Sequence, residues 1–141
     1  MTIERRTKRA GGETKPPITL SAKDYARLSQ LALAAADRMP SVASVLAEEL
    51  ERAHVLADGP SGHSIGMGSE VEFRDDTTGK VQTATLVYPS DADISLGRIS
   101  VLTPVGTALI GLGAGDSITW ETRMGELRQL TVLRIRELQP A

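Results

Sequence analysis

The chain has 141 residues, of which 40% are hydrophobic and 24% charged, and its formal net charge is -2 at pH 7. This composition is that of an ordinary globular protein with room for one compact domain and an appendage, and it excludes two full-size domains. The small net charge gives no indication of strong nucleic-acid binding and favours a protein partner. The absence of cysteine excludes disulfides and thiolate metal sites.

The first 17 residues form a basic stretch that ends at Pro16-Pro17. Its cationic side chains include Arg5, Arg6, Lys8 and Arg9. This composition predicts a disordered tail that mainly aids solvation, with weak nonspecific contact to DNA phosphates as the alternative. No apolar core follows the basic residues, and no stretch approaches the roughly 20 apolar residues of a membrane span. We therefore expect a cytoplasmic protein without a membrane segment.

Residues 18–58 have the pattern of an antiparallel helical hairpin. Ser21, with Asp24 three residues later, is typical of a helix start. Apolar residues then recur at helical spacing, at Tyr25, Leu28, Ala32 and Ala35. Pro40 disfavours helical geometry at Met39 and ends this first helix. Because the loop is only a few residues long, the second helix should fold back on the first.

The second helix is predicted to begin at a Ser41 cap and to run to a stop at Gly59-Pro60. Its apolar face contains Val42, Val45, Leu46, Leu50 and Ala53. We interpret Glu48, Glu49 and Glu51, which fall largely on the other face, as a solvated helix surface. Residues 59–67 are then predicted to be a linker.

From residue 68 onward the pattern changes to short strands and turns, which predicts a mostly antiparallel sheet over 68–139. Five strands are predicted: the first begins at Ser69, and the others run from Val81 to Tyr88, from Arg98 to Leu102, from Ser117 to Thr122 and from Leu127 to Leu138. The turn after the first strand runs from Asp75 to Gly79. In the last strand, Leu130 and Val132 lie in one phase, and Leu133 and Ile135 in the other. We therefore expect a bulge there, or a strand covered on both faces. The fold class is α+β.

Residues 97–116 join a strand, a short helix and a glycine turn in one run. Thr103-Pro104 supplies an N-cap followed by proline at the first helical position. One face of the helix is apolar, with Val105, Ala108, Leu109 and Leu112. Glycines at 111, 113 and 115 then allow the chain to reverse before Asp116. We expect this helix to pack on the sheet.

No pattern of catalytic or cofactor-binding residues is present. The two histidines, His54 and His63, have no evident acidic partner, and we interpret them as a residue near a helix C-terminus and a loop residue. Two dispersed histidines without cysteine do not supply a zinc site. The glycines of residues 106–115 lack the Lys-Ser/Thr pair of a phosphate loop and follow a helix, which favours a cap and turn. We therefore expect no enzyme activity, no metal and no cofactor.

Five blocks in sequence order, at 68–73, 76–79, 85–89, 97–116 and 118–120, resemble the C-terminal domain of the Gre transcript-cleavage factors. Leu-Val-Tyr-Pro at 86–89, the Pro-Val-Gly run at 104–112 and Gly-Asp-Ser-Ile at 115–118 are most similar to the Rnk branch of that family. The resemblance implies an FKBP-like C-terminal domain with one short helix, after a short coiled-coil-like hairpin. Four aromatic residues are too few to line the proline pocket of a prolyl isomerase.

The resemblance also implies that bacterial RNA polymerase is the partner. In the Gre factors, the loop before the C-terminal helix contacts the polymerase subunit at the rim of the secondary channel. The matching residues here are Leu102, Thr103 and Pro104, followed by Val105. A plain helix cap explains Thr103-Pro104 equally well as a cap that is also a binding edge, so both interpretations stay open.

The hairpin tip differs from that of the Gre factors, whose tip carries an Asp-x-x-Glu pair that helps hold the second catalytic magnesium during transcript cleavage. The tip here is Asp37, Arg38 and Met39, with one carboxylate. Arms of some fifteen residues extend only about 20 Å. The leading hypothesis is therefore a factor without cleavage activity that docks at the rim, competes with Gre factors and modulates elongation.

Two alternatives remain from the sequence. The name of the Rnk branch associates it with regulation of nucleoside diphosphate kinase, a link that we interpret as indirect because no residue indicates kinase binding. A module that contacts DNA through residues 5–15 is the third and weakest hypothesis.

Overall fold

The computed structural model of the protein describes residues 16–56 and 64–137, and its fold is α+β as predicted. The predictions for the basic tail, Gly59-Pro60 and His63 lie outside the described residues. In chain order the elements are β1 (Ile18–Ser21), α1 (Ala22–Ala35), α2 (Pro40–Glu51), β2 (Ala53–Leu56), β3 (Ser69–Asp75), β4 (Val81–Val87), β5 (Arg98–Ser100), α3 (Pro104–Leu109), β6 (Ser117–Glu121) and β7 (Leu127–Glu137).

The first helix begins as predicted. Ser21 is its N-cap in extended conformation, and the Ser21 hydroxyl accepts a hydrogen bond of 3.1 Å from the backbone N–H of Asp24. Three of the four residues predicted for the apolar face, Leu28, Ala32 and Ala35, are buried. Local cap chemistry and helical periodicity are therefore sufficient to define α1.

The second helix differs from its prediction at both ends. Pro40 takes the first helical position and Met39 is the N-cap without a side-chain hydrogen bond, so the predicted Ser41 cap is wrong. The helix ends at Glu51, and Ala53–Leu56 form a strand that pairs in parallel with β1. His54 therefore lies exposed in this strand and not near a helix end. Backbone pairing with β1 overrides the helical pattern of the sequence here.

Five strands form the main sheet in the order β5-β4-β3-β7-β6, and every neighbouring pair is antiparallel except β4 with β5. The predicted bulge is confirmed. Glu72 pairs with Arg134 whereas the next residue, Phe73, pairs with Val132, so Leu133 is the extra residue of β7. The third predicted strand is shorter than expected: β5 ends at Ser100, because the chain then turns into the core.

One hydrophobic core draws residues from the hairpin and from the sheet. Ile18 of β1 is fully buried, and the neighbouring Thr19 donates its backbone N–H to the carbonyl of Gly111, at 3.1 Å. Ile65, in the stretch predicted to be a linker, is also fully buried and exchanges backbone hydrogen bonds of 2.8 Å with Gly111 and Leu112. The base of the hairpin is therefore seated on the segment that follows α3.

A second set of contacts holds α1 against the sheet. The carboxylate of Asp24 accepts a hydrogen bond of 3.1 Å from the backbone N–H of Met67. The guanidinium carbon of Arg27 lies 4.2 Å from the ring centre of Tyr88, which is a cation–π contact. Burial, reinforced by the negative charge of Asp24, raises the pKa of the Tyr88 phenol to about 12. The hairpin is thus fixed to the sheet at several points.

Candidate functional site

The loop between β5 and α3 is organised by hydrogen bonds within itself. The Thr103 hydroxyl donates to the carbonyl of Ser100, at 2.8 Å, and accepts from the backbone N–H of Gly106, at 3.0 Å. An ideal Cβ built at Gly106 would lie only 2.3 Å from the Ser100 carbonyl oxygen. Glycine at this position therefore allows the first turn of α3 to lie against the end of β5. The predicted N-cap at Thr103 is confirmed.

These contacts decide which parts of the predicted binding loop a partner can reach. The hydroxyl of Thr103 is engaged as both donor and acceptor, and the side chain of Leu102 is buried in the core at 7% exposure. Thr103, Pro104 and Val105 are each partly exposed. A partner at this loop would meet the proline ring and the aliphatic part of the threonine, together with Val105.

The hairpin tip is a short turn between α1 and α2. Asp37 and Arg38 are exposed, whereas Met39 is half-buried and packs against the core. The backbone N–H of Met39 donates to the carbonyl of Ala35, at 2.8 Å, and this bond fixes the turn. The tip thus presents one carboxylate and one guanidinium group to solvent.

A groove of about 640 Å³ lies between α2 and β6 and includes Pro104 of the predicted loop. Ser41 and Val42, at the start of α2, line one side of it, and Pro104, at the start of α3, also lines it. Trp120 and Leu127 line the side formed by the sheet. Each of the two helices begins with a proline, and both beginnings face this groove. The structure therefore brings the first turn of α2, which follows the tip, and Pro104 of the loop to one groove, a relation that the sequence did not predict.

Glu49 does not lie on a solvated face, so that prediction is wrong. Its side chain is only 1% exposed and forms an ion pair of 2.7 Å with Arg52, one turn further along the chain. Arg52 also donates to the backbone carbonyl of Pro16. A buried carboxylate needs such a partner, and the pair ties the end of α2 to the chain that enters β1. Val45, predicted on the apolar face, is 38% exposed and lines the groove.

The described residues contain neither a cluster of metal-binding side chains nor a helix that could span a membrane. Within residues 16–56 and 64–137, no group of three or more His, Asp or Glu side chains is placed to hold a metal ion. No helix in the described part of the chain is long and apolar enough to cross a membrane.

Comparison with protein families divides the chain into two matches. Residues 60–137 match the model described as "Transcription elongation factor, GreA/GreB, C-term", and residues 16–56 match "Rnk N-terminus". A solved structure titled as a prokaryotic transcription elongation factor GreA/GreB from Nitrosomonas europaea is 34% identical, with a TM-score of 0.66. That match covers 84% of this chain and 98% of the other. Fold and sequence together thus define a protein of the Gre class.

Individual relatives show to which group of the family the chain belongs. The chain is 38% identical over 128 residues to the "Regulator of nucleoside diphosphate kinase" of Escherichia coli (strain K12), covering 90% of this chain and 93% of the relative. It is 42% identical over 80 residues to the transcription elongation factor GreA of Syntrophobacter fumaroxidans, half of whose length is matched. The chain therefore belongs to the GreA/GreB family of transcription factors and, within it, to the Rnk group.

Proposed function

We propose that this protein binds bacterial RNA polymerase in the cytoplasm, at the rim of the secondary channel, through the loop Leu102, Thr103, Pro104 and Val105. The tip residues Asp37, Arg38 and Met39 then lie at the channel entrance. Bound there, the protein competes with Gre factors and modulates elongation without stimulating transcript cleavage. The proposal rests on membership of the GreA/GreB family, whose matched relatives are named as transcription elongation factors.

The observation that carries the proposal is the groove that Pro104 shares with the first turn of α2, which directly follows the tip. Ser41, two residues beyond Met39, and Pro104 line the same groove. A partner that covers the loop would therefore also approach the tip. The apolar character of the loop surface suits a protein partner better than a nucleic acid, because phosphate recognition needs exposed cations.

Binding to core RNA polymerase tests this proposal, with two variants that separate capping from contact. Pro104→Ala removes the exposed ring but leaves the Thr103 cap of Gly106, so we expect weaker binding by about tenfold or more at an unchanged melting temperature. Thr103→Val keeps the shape of the side chain but removes the cap, and should cost about 0.5–2 kcal/mol of stability. Normal binding by Pro104→Ala would leave the loop as a helix cap only.

A competition experiment then tests the site on the polymerase. A Gre factor should displace the labelled protein from core polymerase, and Pro104→Ala should be displaced at lower Gre concentrations. Saturable binding that no Gre factor displaces would place the protein elsewhere on the polymerase and refute the rim assignment.

The lack of cleavage activity is tested on backtracked elongation complexes. The tip has one carboxylate, Asp37, and the residue three positions later is Pro40. Holding a second magnesium ion needs additional oxygen ligands, so we expect no stimulation of RNA hydrolysis above the polymerase alone. Cleavage that is lost in Asp37→Asn would contradict this part of the proposal.

Regulation of nucleoside diphosphate kinase is the second candidate function, and the name of the 38% identical Escherichia coli relative favours it. We propose that such regulation is indirect, through transcription. Kinase activity measured with and without the purified protein should then be unchanged. A change in kinase activity, or a complex of the two proteins in the absence of polymerase, would favour direct regulation of the kinase over polymerase binding as the function.

A further inference from the structure

The groove between α2 and β6 has the features of a site for an extended peptide. Within the described residues, β6 is the last strand of the sheet and pairs only with β7, so its outer edge is available for an additional strand. Apolar side chains line the groove on both sides, at Val42, Val45, Trp120 and Leu127. The indole N–H of Trp120 is buried without a hydrogen-bond partner among the described residues.

The charges of the groove favour a basic occupant. Glu48 and Glu121 line it from opposite sides and are both exposed, whereas Arg123 is the one exposed cation among its described lining residues. The surface is thus negative at two positions that an extended chain would pass. It differs in this respect from the loop surface around Pro104, which is apolar.

The sequence contains a basic segment at residues 5–9, and the described structure begins at Pro16, close to this groove. Residues 5–9 carry three arginines and one lysine. Pro16 accepts a hydrogen bond from Arg52, and Arg52 pairs with Glu49, which lines the groove. The seven residue steps from Arg9 to Pro16 span at most about 25 Å, whereas the groove side from Ser41 to Glu49 is about 12 Å long. The chain between Arg9 and Pro16 is therefore longer than the α2 side of the groove.

We propose that residues 5–9 of this chain bind in the groove as an extended strand along β6, with their cationic side chains at Glu48 and Glu121. A segment bound in this way would cover Pro104, which lines the groove. If the loop binds polymerase as proposed above, the segment acts as an intramolecular competitor, and this regulatory consequence rests on the proposed function. The proposed binding of the segment in the groove is independent of the proposed function.

A spin label tests the contact in the full chain. Because the protein has no cysteine, Thr7→Cys provides a unique labelling site. We expect the label to broaden the amide NMR signals of residues 118–121, and the broadening should weaken at high salt. It should also weaken in a Glu121→Lys background but persist with Asp91→Lys, a matched charge reversal at an exposed residue before β5, the opposite edge strand of the sheet.

Two outcomes would overturn the proposal. Broadening absent from residues 118–121 at low salt excludes the contact, while broadening seen only between labelled and unlabelled molecules in a mixture assigns the groove to a second copy. A full-length variant with residues 5, 6, 8 and 9 all changed to Gln tests separately whether the bound segment competes with polymerase. It should bind polymerase more tightly than the parent if the segment competes, and unchanged affinity together with positive NMR results would refute the competition alone.

Discussion

Gly111 is the point at which the hairpin base meets the C-terminal sheet, and its substitution tests how tightly the two are joined. Its φ is +82°, and an ideal Cβ there would lie 2.5 Å from the Cβ of Ile18. Gly111→Ala would therefore combine a left-handed conformation, at about 1–2 kcal/mol, with overpacking against β1, at about 1–3 kcal/mol. We expect the free energy of unfolding to fall by about 2–5 kcal/mol in total.

Gly115→Ala is the matched control. Its φ is +90°, but no heavy atom of the described residues lies within 4 Å of the ideal Cβ position. It should therefore lose only the conformational part, about 1–2 kcal/mol. Urea unfolding followed by the fluorescence of the single tryptophan, Trp120, measures both variants. Equal losses of stability would refute the inference that Ile18 packs directly against Gly111.

Three further predictions concern the core and two titrating groups. Leu46, fully buried in α2, should lose about 2–5 kcal/mol of unfolding free energy on change to Ala, measured by urea unfolding. Burial raises the pKa of Tyr88 to about 12 from 10.0, so its contribution to stability is present below pH 10 and lost as the pH rises towards 12. Tyr88→Phe should lack this part of the decline in urea midpoints. Hydrogen bonds from Thr131 and Arg74 lower the pKa of Asp76 below 3.8, so its contribution is present above that pH and lost as the pH falls further. Asp76→Asn should be less stable at neutral pH and vary less in acid, and unchanged acid unfolding would contradict this assignment.

The parts of the fold that local chemistry determines were predictable from the sequence. The caps at Ser21 and Thr103 each need only one hydroxyl and a backbone N–H three residues later, and both are present. The bulge at Leu133 followed from a change of apolar phase within one strand. These features depend on a few residues that are close in sequence, so they can be predicted without the rest of the chain.

The features that the sequence did not reveal depend on contacts between distant residues. Ala53–Leu56 continues an apolar helical pattern, and only pairing with Ile18–Ser21 makes it a strand. Glu49 resembles its neighbour Glu48 in sequence, but Arg52 and the incoming chain at Pro16 surround it. The alternation of buried Ile18 and Leu20 was the available signal for β1, although four residues are a short basis for assigning a strand.

The candidate site stays a prediction, and the sequence offered it as two separate pieces without a spatial relation between them. Family resemblance placed the loop at 102–105 and the tip at 37–39, and no sequence spacing relates the two. Their relation arises because α2 packs beside α3, so that both helix starts face the groove. Similarly, Leu102 matches a contact position of the family, but its burial leaves Pro104 and its neighbours as the accessible surface.

The way in which the hairpin is mounted bears on what the protein can do to its partner. Its arms are 14 and 12 residues long, or about 20 Å, and both join strands that pair at the base. Because β1 packs on Gly111 and α2 beside α3, the start of α2, which follows the tip, lines the same groove as Pro104. A polymerase docked on the loop would then meet the tip close to the docking surface, with one carboxylate at Asp37. Under the proposed function, the short arms and the single carboxylate would suit occupation of the channel rim better than delivery of catalytic groups to the active centre.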